Sequence, residues 1–396
     1  MDSRLVLGVA RDADAGDIRA VLCRVLGAGW NCRLESLASA TVPTFGVIWN
    51  ADDGTGSIPM PTALDPCVIA DQCMDAIRAV MEKAGLALEE VLFLSVAPST
   101  GVSMEPWEGI VAARLAEETG LTTIVGFATR DRAAGGTGRS PGKLADWILA
   151  ADPQFSRLVI HVEGFTHFTV LSAAAGPSRV YTSDAGPGVH MLDAMAAGFS
   201  QRRQPIDSRG TLAVQGRQLK PLVRHWASHP FLALELPKWL GPRDFTGEFV
   251  YQTVQLACER GWSVADVLCT ATHFVAACSA DAVRQYLAKD QMLDQVVLVG
   301  RGTQSGFLLR LLHEQFAAIG LMHVSLPEIP GESYEAATAA VLGCLALDGI
   351  PSNIPAVTDS TGPRIAGQLV PGTVANWHRC VTWMQRTVKP IIMRIA

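Results

Sequence analysis

Short β-rich apolar runs alternate with amphipathic stretches along this chain, the pattern of an α/β protein. RLVLGVA (4–10) and IRAVLCRVL (18–26) predict two strands joined by a turn, with Gly8 and Gly16 on either side of the bend. A helix is expected over 71–84, where Cys73, Ile77, Val80 and Met81 recur at helical spacing. VLFLSVA (91–97) predicts a strand, 107–119 a helix and TTIVGFA (122–128) another strand. DRAAGGTGRSPG (131–142) then reads as a Gly-rich loop.

A second cycle opens at RLVIHVEGFTHFTVLSA (157–173), a hairpin turning near Gly164. SRVYTSDAGPG (178–188) continues it as a strand ending in Asp184, a Gly-Pro-Gly turn and then the helix HMLDAMAAGF. Helical patterning covers roughly 210–290, QVVLVG (295–300) is a strand running into RGTQSG and a helix, and the last long helix spans 334–347. Two strand-turn-strand openings, near 8–17 and 161–167, predict two similar lobes facing a shared cleft.

At 396 residues, 49% of them hydrophobic, the chain has length for two domains and a large core. A net charge of −6 without any basic run argues against a nucleic-acid partner. The longest near-apolar stretch, 336–347, is too short to span a membrane. MDSRLVLGVARDAD carries no basic segment followed by a long apolar one, so the expectation is a cytoplasmic protein with no membrane partner. The nine cysteines form no C-x-x-C pair and read as reduced core thiols; the nine histidines show no metal-ligand spacing, and neither a metal site nor a cofactor is expected.

Three stretches have chemical promise. In TSDAGPG a carboxylate precedes two glycines around a proline, where a ligand can approach the backbone closely. Asp184 there is either a general base or simply the cap of the following helix. DRAAGGTG offers Ala134, Gly135 and Gly136 as a close backbone surface for a sugar-sized ligand, or is an ordinary surface loop. VGRGTQSG opens a helix as nucleotide loops do, although Arg301 interrupts its glycines.

In combination these stretches resemble the anhydro-N-acetylmuramic acid kinases of the sugar-kinase/Hsp70/actin superfamily. The resemblance runs from residue 4 to about 372 through DRAAGGTG (131–138), SDAGPG…LDAM (183–195), IDSRGTLAVQG (206–216), HPFLALELPK (229–238), VLVGRGTQSGFLL (297–309), GESYEAATA (331–339) and GIPSNIPAVT (349–358). It implies an α/β, two-lobed actin-like ATPase fold, each lobe a mixed sheet flanked by helices with the cleft between. The implied division is an N-terminal lobe (1–155), a C-terminal lobe (156–372) and a helical extension (373–396). It also implies a dimer, and a reaction that phosphorylates a 1,6-anhydro sugar while water opens its anhydro bond. Asp184 takes the place of the family's base, and Gly186, Gly188, His161, His167 and Glu335 fall among the implied substrate-binding positions.

The departures lie in the turns. The family's first phosphate turn, Ser-Gly-Thr-Ser-x-Asp-Gly, is replaced by Arg11-Asp12-Ala13-Asp14-Ala15-Gly16-Asp17. Each carboxylate brought within a few ångströms of a phosphate costs about 1–4 kcal/mol, depending on the dielectric. The second turn, Asn-Leu-Gly-Gly-Ile-Ala-Asn in the family, is His161-Val162-Glu163-Gly164-Phe165-Thr166-His167. The middle glycine of the adenosine loop is Arg301, the sugar-holding Asp-Phe-Arg is Gly126-Phe127-Ala128, and His-Gly-Gln-Thr is Ala97-Pro98-Ser99-Thr100.

These losses lead to the expectation of an enzyme that has abandoned ATP, working in specialised metabolism. Asp184 would be the base of an intramolecular substitution or elimination that expels sulfate or phosphate, with Arg11 and Arg301 steadying the leaving group. Two alternatives stand beside it. One is a non-catalytic pseudokinase subunit in a homodimer or a heterodimer with a homologous active subunit. The other is an anhydro-sugar kinase with an unusual donor or acceptor. A small-molecule substrate is common to the two catalytic readings.

Overall fold

The computed structural model describes residues 2–11, 17–43, 65–96, 108–139, 141–200, 207, 209–241, 244–245, 247–289 and 291–387. The first sheet is built from β1 (Ser3–Arg11), β2 (Ile18–Leu26), β3 (Arg33–Val42), β4 (Val91–Val96) and β5 (Thr122–Val125). The second is built from β6 (Arg157–Val162), β7 (Phe165–Leu171), β8 (Tyr181–Pro187), β9 (Gln295–Val299) and β10 (Met322–His323). Their orders, β3-β2-β1-β4-β5 and β8-β7-β6-β9-β10, are the same plan used twice; β11 (Gln368–Val370) adds to the first sheet beside β5. Each opens with an antiparallel three-strand meander and continues with parallel strands reached through helices. This is the two-lobed α/β arrangement of the actin-like fold.

Between the sheets lies a core that draws on both. Val6, Ala10 and Val21 of the first sheet and Val159, Leu171, Val297 and Val299 of the second belong to one buried cluster with the helices Pro141–Ala150 and Tyr334–Leu347. The second of these helices is apolar on every side, and all its residues except Glu335 are buried, as a helix enclosed all round must be. Gly8 admits it: a Cβ there would stand 1.9 Å from the Ala336 carbonyl oxygen. The outer face of each sheet carries its own core. Leu7, Val9 and Leu22 pack under Pro66–Ala84 in the first, and Phe168, Val170 and Ala185 pack against Val264–Leu287 in the second.

Several element expectations change. The strand expected over 122–128 stops at Val125, because Gly126 turns the chain at φ 74° and the helix Phe127–Ala133 begins. The loop expected over 131–142 gives way to the helix Pro141–Ala150, started by a proline whose fixed φ suits a first turn. β3 carries no clear alternation and was not anticipated; its polar positions fall at the edge of the sheet, where β2 is its one neighbour among the described residues and its face is partly wet. Asp184 does not end its strand, since Gly186 and Pro187 continue the ladder opposite Thr166 and Phe165. Of the C-terminal extension, Val374–Thr387 is a helix against β4 and β5, where Asn376 accepts from the Thr122 backbone and donates to the Leu92 carbonyl.

Candidate active site

Strand register assembles the site. His161 of β6 lies opposite Val299 of β9 and His167 of β7, and His167 lies opposite Asp184 of β8. Directly paired residues share a face, so Val299, His161, His167 and Asp184 form one row across four strands. Val299 belongs to the core between the lobes, and the row therefore looks toward the first sheet. The two imidazoles stack with centroids 4.3 Å apart.

The helix Pro141–Ala150 crosses this row. Asp146, buried, takes a 2.9 Å hydrogen bond with His161 Nε2, and the hydroxyls of Thr169 and Tyr334 lie beside the carboxylate. The Tyr334 ring also meets His161 edge-on at 5.5 Å. Burial holds His161 below its usual value against the pull of Asp146, so its ring is neutral. An ionised carboxylate only accepts, which places the ring proton on Nε2. Burial pushes Asp146 up, but His161 and Lys143 outweigh it and leave the carboxyl below its ordinary range. His167 is driven well below its usual value by burial, with Lys143 and His161 adding to the effect.

Lys143 stands one turn before Asp146 on the same helix. Burial lowers its ammonium to about 8, opposed by Asp146, Asp184 and Glu335. Asp184 is held from the other side: the Leu240 N–H donates to Oδ2 at 2.7 Å, and Arg139 Nη1 approaches the same oxygen at 3.4 Å. Arg139 also donates to the Leu240 carbonyl at 3.0 Å and lies over Trp239. Oδ1 accepts no hydrogen bond from the described residues. Burial raises the Asp184 carboxyl above its ordinary value, while the Leu240 amide, Lys143 and Arg139 restrain the rise. A carboxylate fixed through one oxygen, open at the other and shifted toward neutral pH is fitted to take a proton.

Arg139 leaves the loop that contains Ala134, Gly135 and Gly136. That loop is tied by Asp131, whose carboxylate accepts from the Gly138 N–H at 2.8 Å and from Asn353 and Thr358 at 3.0 Å each. Backbone bonds from Thr137 to Thr358 and from Thr361 to Ala134 complete the lacing. Gly136 is required there, since a Cβ would meet the Asp131 carboxylate at 2.4 Å. Two of the motifs that carry the resemblance, DRAAGGTG and SNIPAVT, thus form one surface beside Asp184.

The other expected residues are placed as follows. Glu335 opens the helix Tyr334–Leu347 within electrostatic reach of Lys143. Gly186 packs on Cys278, and Gly188 lets the chain meet the β6–β7 turn, where a Cβ would come within 2.1 Å of the Glu163 carbonyl oxygen. Neither arginine joins the row. Arg11 shares with Leu7 and Val9 the outer face of the first sheet, away from the row and near Cys73. Arg301 pairs with Asp193, beside a cavity of about 20 Å³ that Asp207 and Thr272 help to line, room for about one water. Asp12–Gly16 and Ala97–Thr100 lie outside the described residues. Asp131, Arg139, Lys143, Asp146 and Tyr334 were missed in the sequence; the signal available was the i, i+3 spacing of Lys143 and Asp146 after Pro141.

Comparison with known proteins bears on the same stretches. The sequence model of the anhydro-N-acetylmuramic acid kinase family matches residues 109–372. The chain is 28% identical over 380 residues to the anhydro-N-acetylmuramic acid kinase of Acaryochloris marina, covering 92% of this chain and 99% of that protein. It is 31% identical over 261 residues to the one from Cyanothece sp., covering 65% and 68%. Among solved structures, component A of (R)-2-hydroxyglutaryl-CoA dehydratase from Acidaminococcus fermentans superposes at a TM-score of 0.43 and 13% identity, covering 85% of this chain and 96% of that one.

These matches overturn the expectation of an ATP-independent substitution or elimination. The relatives are named as kinases, one of them matching over 92% of this chain, and the premise of lost ATP binding finds no support in the described residues. The Glu163 carboxylate, which replaces a glycine of the family's second turn, turns onto the adenosine loop and accepts the Arg301 backbone N–H at 3.2 Å. Of the carboxylates expected to repel phosphate from the first turn, Asp12 and Asp14 are not among the described residues. By its family match and its relatives, the chain belongs to the anhydro-N-acetylmuramic acid kinase family.

Proposed function

We propose that this protein is an anhydro-sugar kinase that transfers the terminal phosphoryl group of ATP to a 1,6-anhydro amino sugar. In this reading Asp184 Oδ1 takes a proton from water as the water oxygen bonds to the anomeric carbon. The anhydro C–O bond breaks, the freed oxygen attacks the terminal phosphorus, and ADP departs with the bridging electrons. Asp184 then returns its proton to solvent. The observation that carries this reading is the Asp184 carboxylate, fixed through Oδ2 by the Leu240 amide and open at Oδ1 on the inner face of its sheet. The laced loops at 131–138 and 353–361 give the sugar a rigid backbone surface beside it.

The lobe division at 155 and the extension beginning at 373 belong to the same proposal, as does a dimer. A donor such as ATP places the reaction in the cytoplasm. The test is turnover: purified protein, ATP with Mg²⁺ and 1,6-anhydro-N-acetylmuramic acid, with ADP release and a phosphorylated sugar as readouts. Asp184→Asn keeps the Leu240 contact and removes the base, so turnover falls about 10²–10⁴-fold. No phosphorylated product from the wild type would overturn the proposal.

A further inference from the structure

The polar residues on the inner face of the helix Pro141–Ala150 have unequal partners. Asp146 is engaged by His161, with Thr169 and Tyr334 beside it. Lys143, one turn earlier, makes no hydrogen bond or ion pair with any described residue, although it is only partly exposed. Asp146, Asp184 and Glu335 act on it electrostatically from three different elements, and Arg139 acts from a fourth, yet none comes into contact. An ammonium has three donors, and none of those of Lys143 is taken by a described residue. Its helix is tied to the row His161–His167–Asp184 through the Asp146–His161 hydrogen bond, one turn away.

We propose that Lys143 holds an oxyanion of the substrates beside Asp184, and that the occupant is a phosphoryl oxygen of the group in transfer. The inference rests on the kinase reading above and deepens it. The row that Lys143 overlooks belongs to the stretch 161–167, which replaces the family's second phosphate turn. The two asparagines of that turn are here His161 and His167, neutral rings that bring no second fixed charge. A flexible ammonium is suited to follow a phosphoryl group between two oxygens, because it binds as a point charge without a fixed fork. It also screens that group from Asp146, Asp184 and Glu335.

The probe is sulfate, a tetrahedral dianion whose charge is constant around neutrality, titrated calorimetrically into the full chain at pH 7, with acetate as the planar alternative. Wild type should bind sulfate saturably. Lys143→Met should weaken binding by about tenfold or more, the loss of one charge-assisted contact, and Lys143→Arg should restore most of it. Thermal unfolding midpoints confirm that each variant is folded. Equal sulfate binding by wild type and Lys143→Met, absent sulfate binding by wild type, or Lys143-dependent preference for acetate would each overturn the proposal. Sulfate binding through Lys143 without sugar phosphorylation would remove the kinase reading alone. Unimpaired phosphorylation and sulfate binding by Lys143→Met would remove this inference alone.

Discussion

The helix that carries Tyr334 and Glu335 into the site is anchored at its far end by Asp348, and removing that carboxylate should loosen both the fold and the site. Arg4 donates to Asp348 Oδ1 and Oδ2 at 2.8 Å each, the Gly29 N–H donates at 2.7 Å, and Trp383 Nε1 donates at 2.7 Å. The guanidinium also lies over the Trp383 ring, 4.2 Å from its centroid. Asp348 is 1% exposed and Arg4 5%, so Asp348→Ala strands a charge where water cannot reach. Breaking a buried pair from one side costs about 3–5 kcal/mol. The orphaned Gly29 and Trp383 donors add about 1 kcal/mol or more each. A loss of about 5 kcal/mol or more is comparable with the whole stability of many domains, about 5–15 kcal/mol. Urea unfolding followed by tryptophan fluorescence measures it. Arg4→Met combined with Asp348→Leu should recover part of the loss, because no buried charge is left unpaired. A loss under about 1 kcal/mol for Asp348→Ala would refute this account of the anchor.

Two further outcomes follow from the site. The pH profile of kcat/KM should be bell-shaped. Activity falls at low pH as Asp184 is protonated, at a pH above the ordinary carboxylate range because burial raises it, and falls at high pH as Lys143 loses its proton near 8. Lys143→Met should move the acid limb upward and remove the alkaline one, since the ammonium helps keep Asp184 ionised; a flat profile from about pH 5 to about pH 9 would contradict both assignments. Gly188→Ala should push the start of the helix Val189–Ser200 off the β6–β7 turn, because the added methyl would lie 2.1 Å from the Glu163 carbonyl oxygen. The expected result is a loss of about 1–3 kcal/mol with a larger fall in turnover, and an unchanged unfolding midpoint would count against it.

Local pattern alone disclosed much of this protein. The runs 4–10, 18–26 and 157–173 read as strands because apolar, β-favouring residues dominate them. The 334–347 helix read as buried because it offers no polar face. Seven motifs in one order disclosed the family and, through it, Asp184. Both are properties of residues near one another in the chain. The row Val299–His161–His167–Asp184 is not of that kind: strand register sets it across residues up to 138 apart (299 − 161), with an irregularity at Thr166/His167 adjusting the last step. Arg11 and Arg301 carry the charge an anion site needs, but alternation along β1 and the pairing with Asp193 point them elsewhere. Lys143 and Asp146 follow a Gly-rich loop in the sequence, and the helix Pro141–Ala150 lays them over the row. Composition and periodicity therefore determined which elements form and which family they serve. Only the packing of two sheets around shared helices decided which charges meet, because burial and long-range pairing have no image in local sequence.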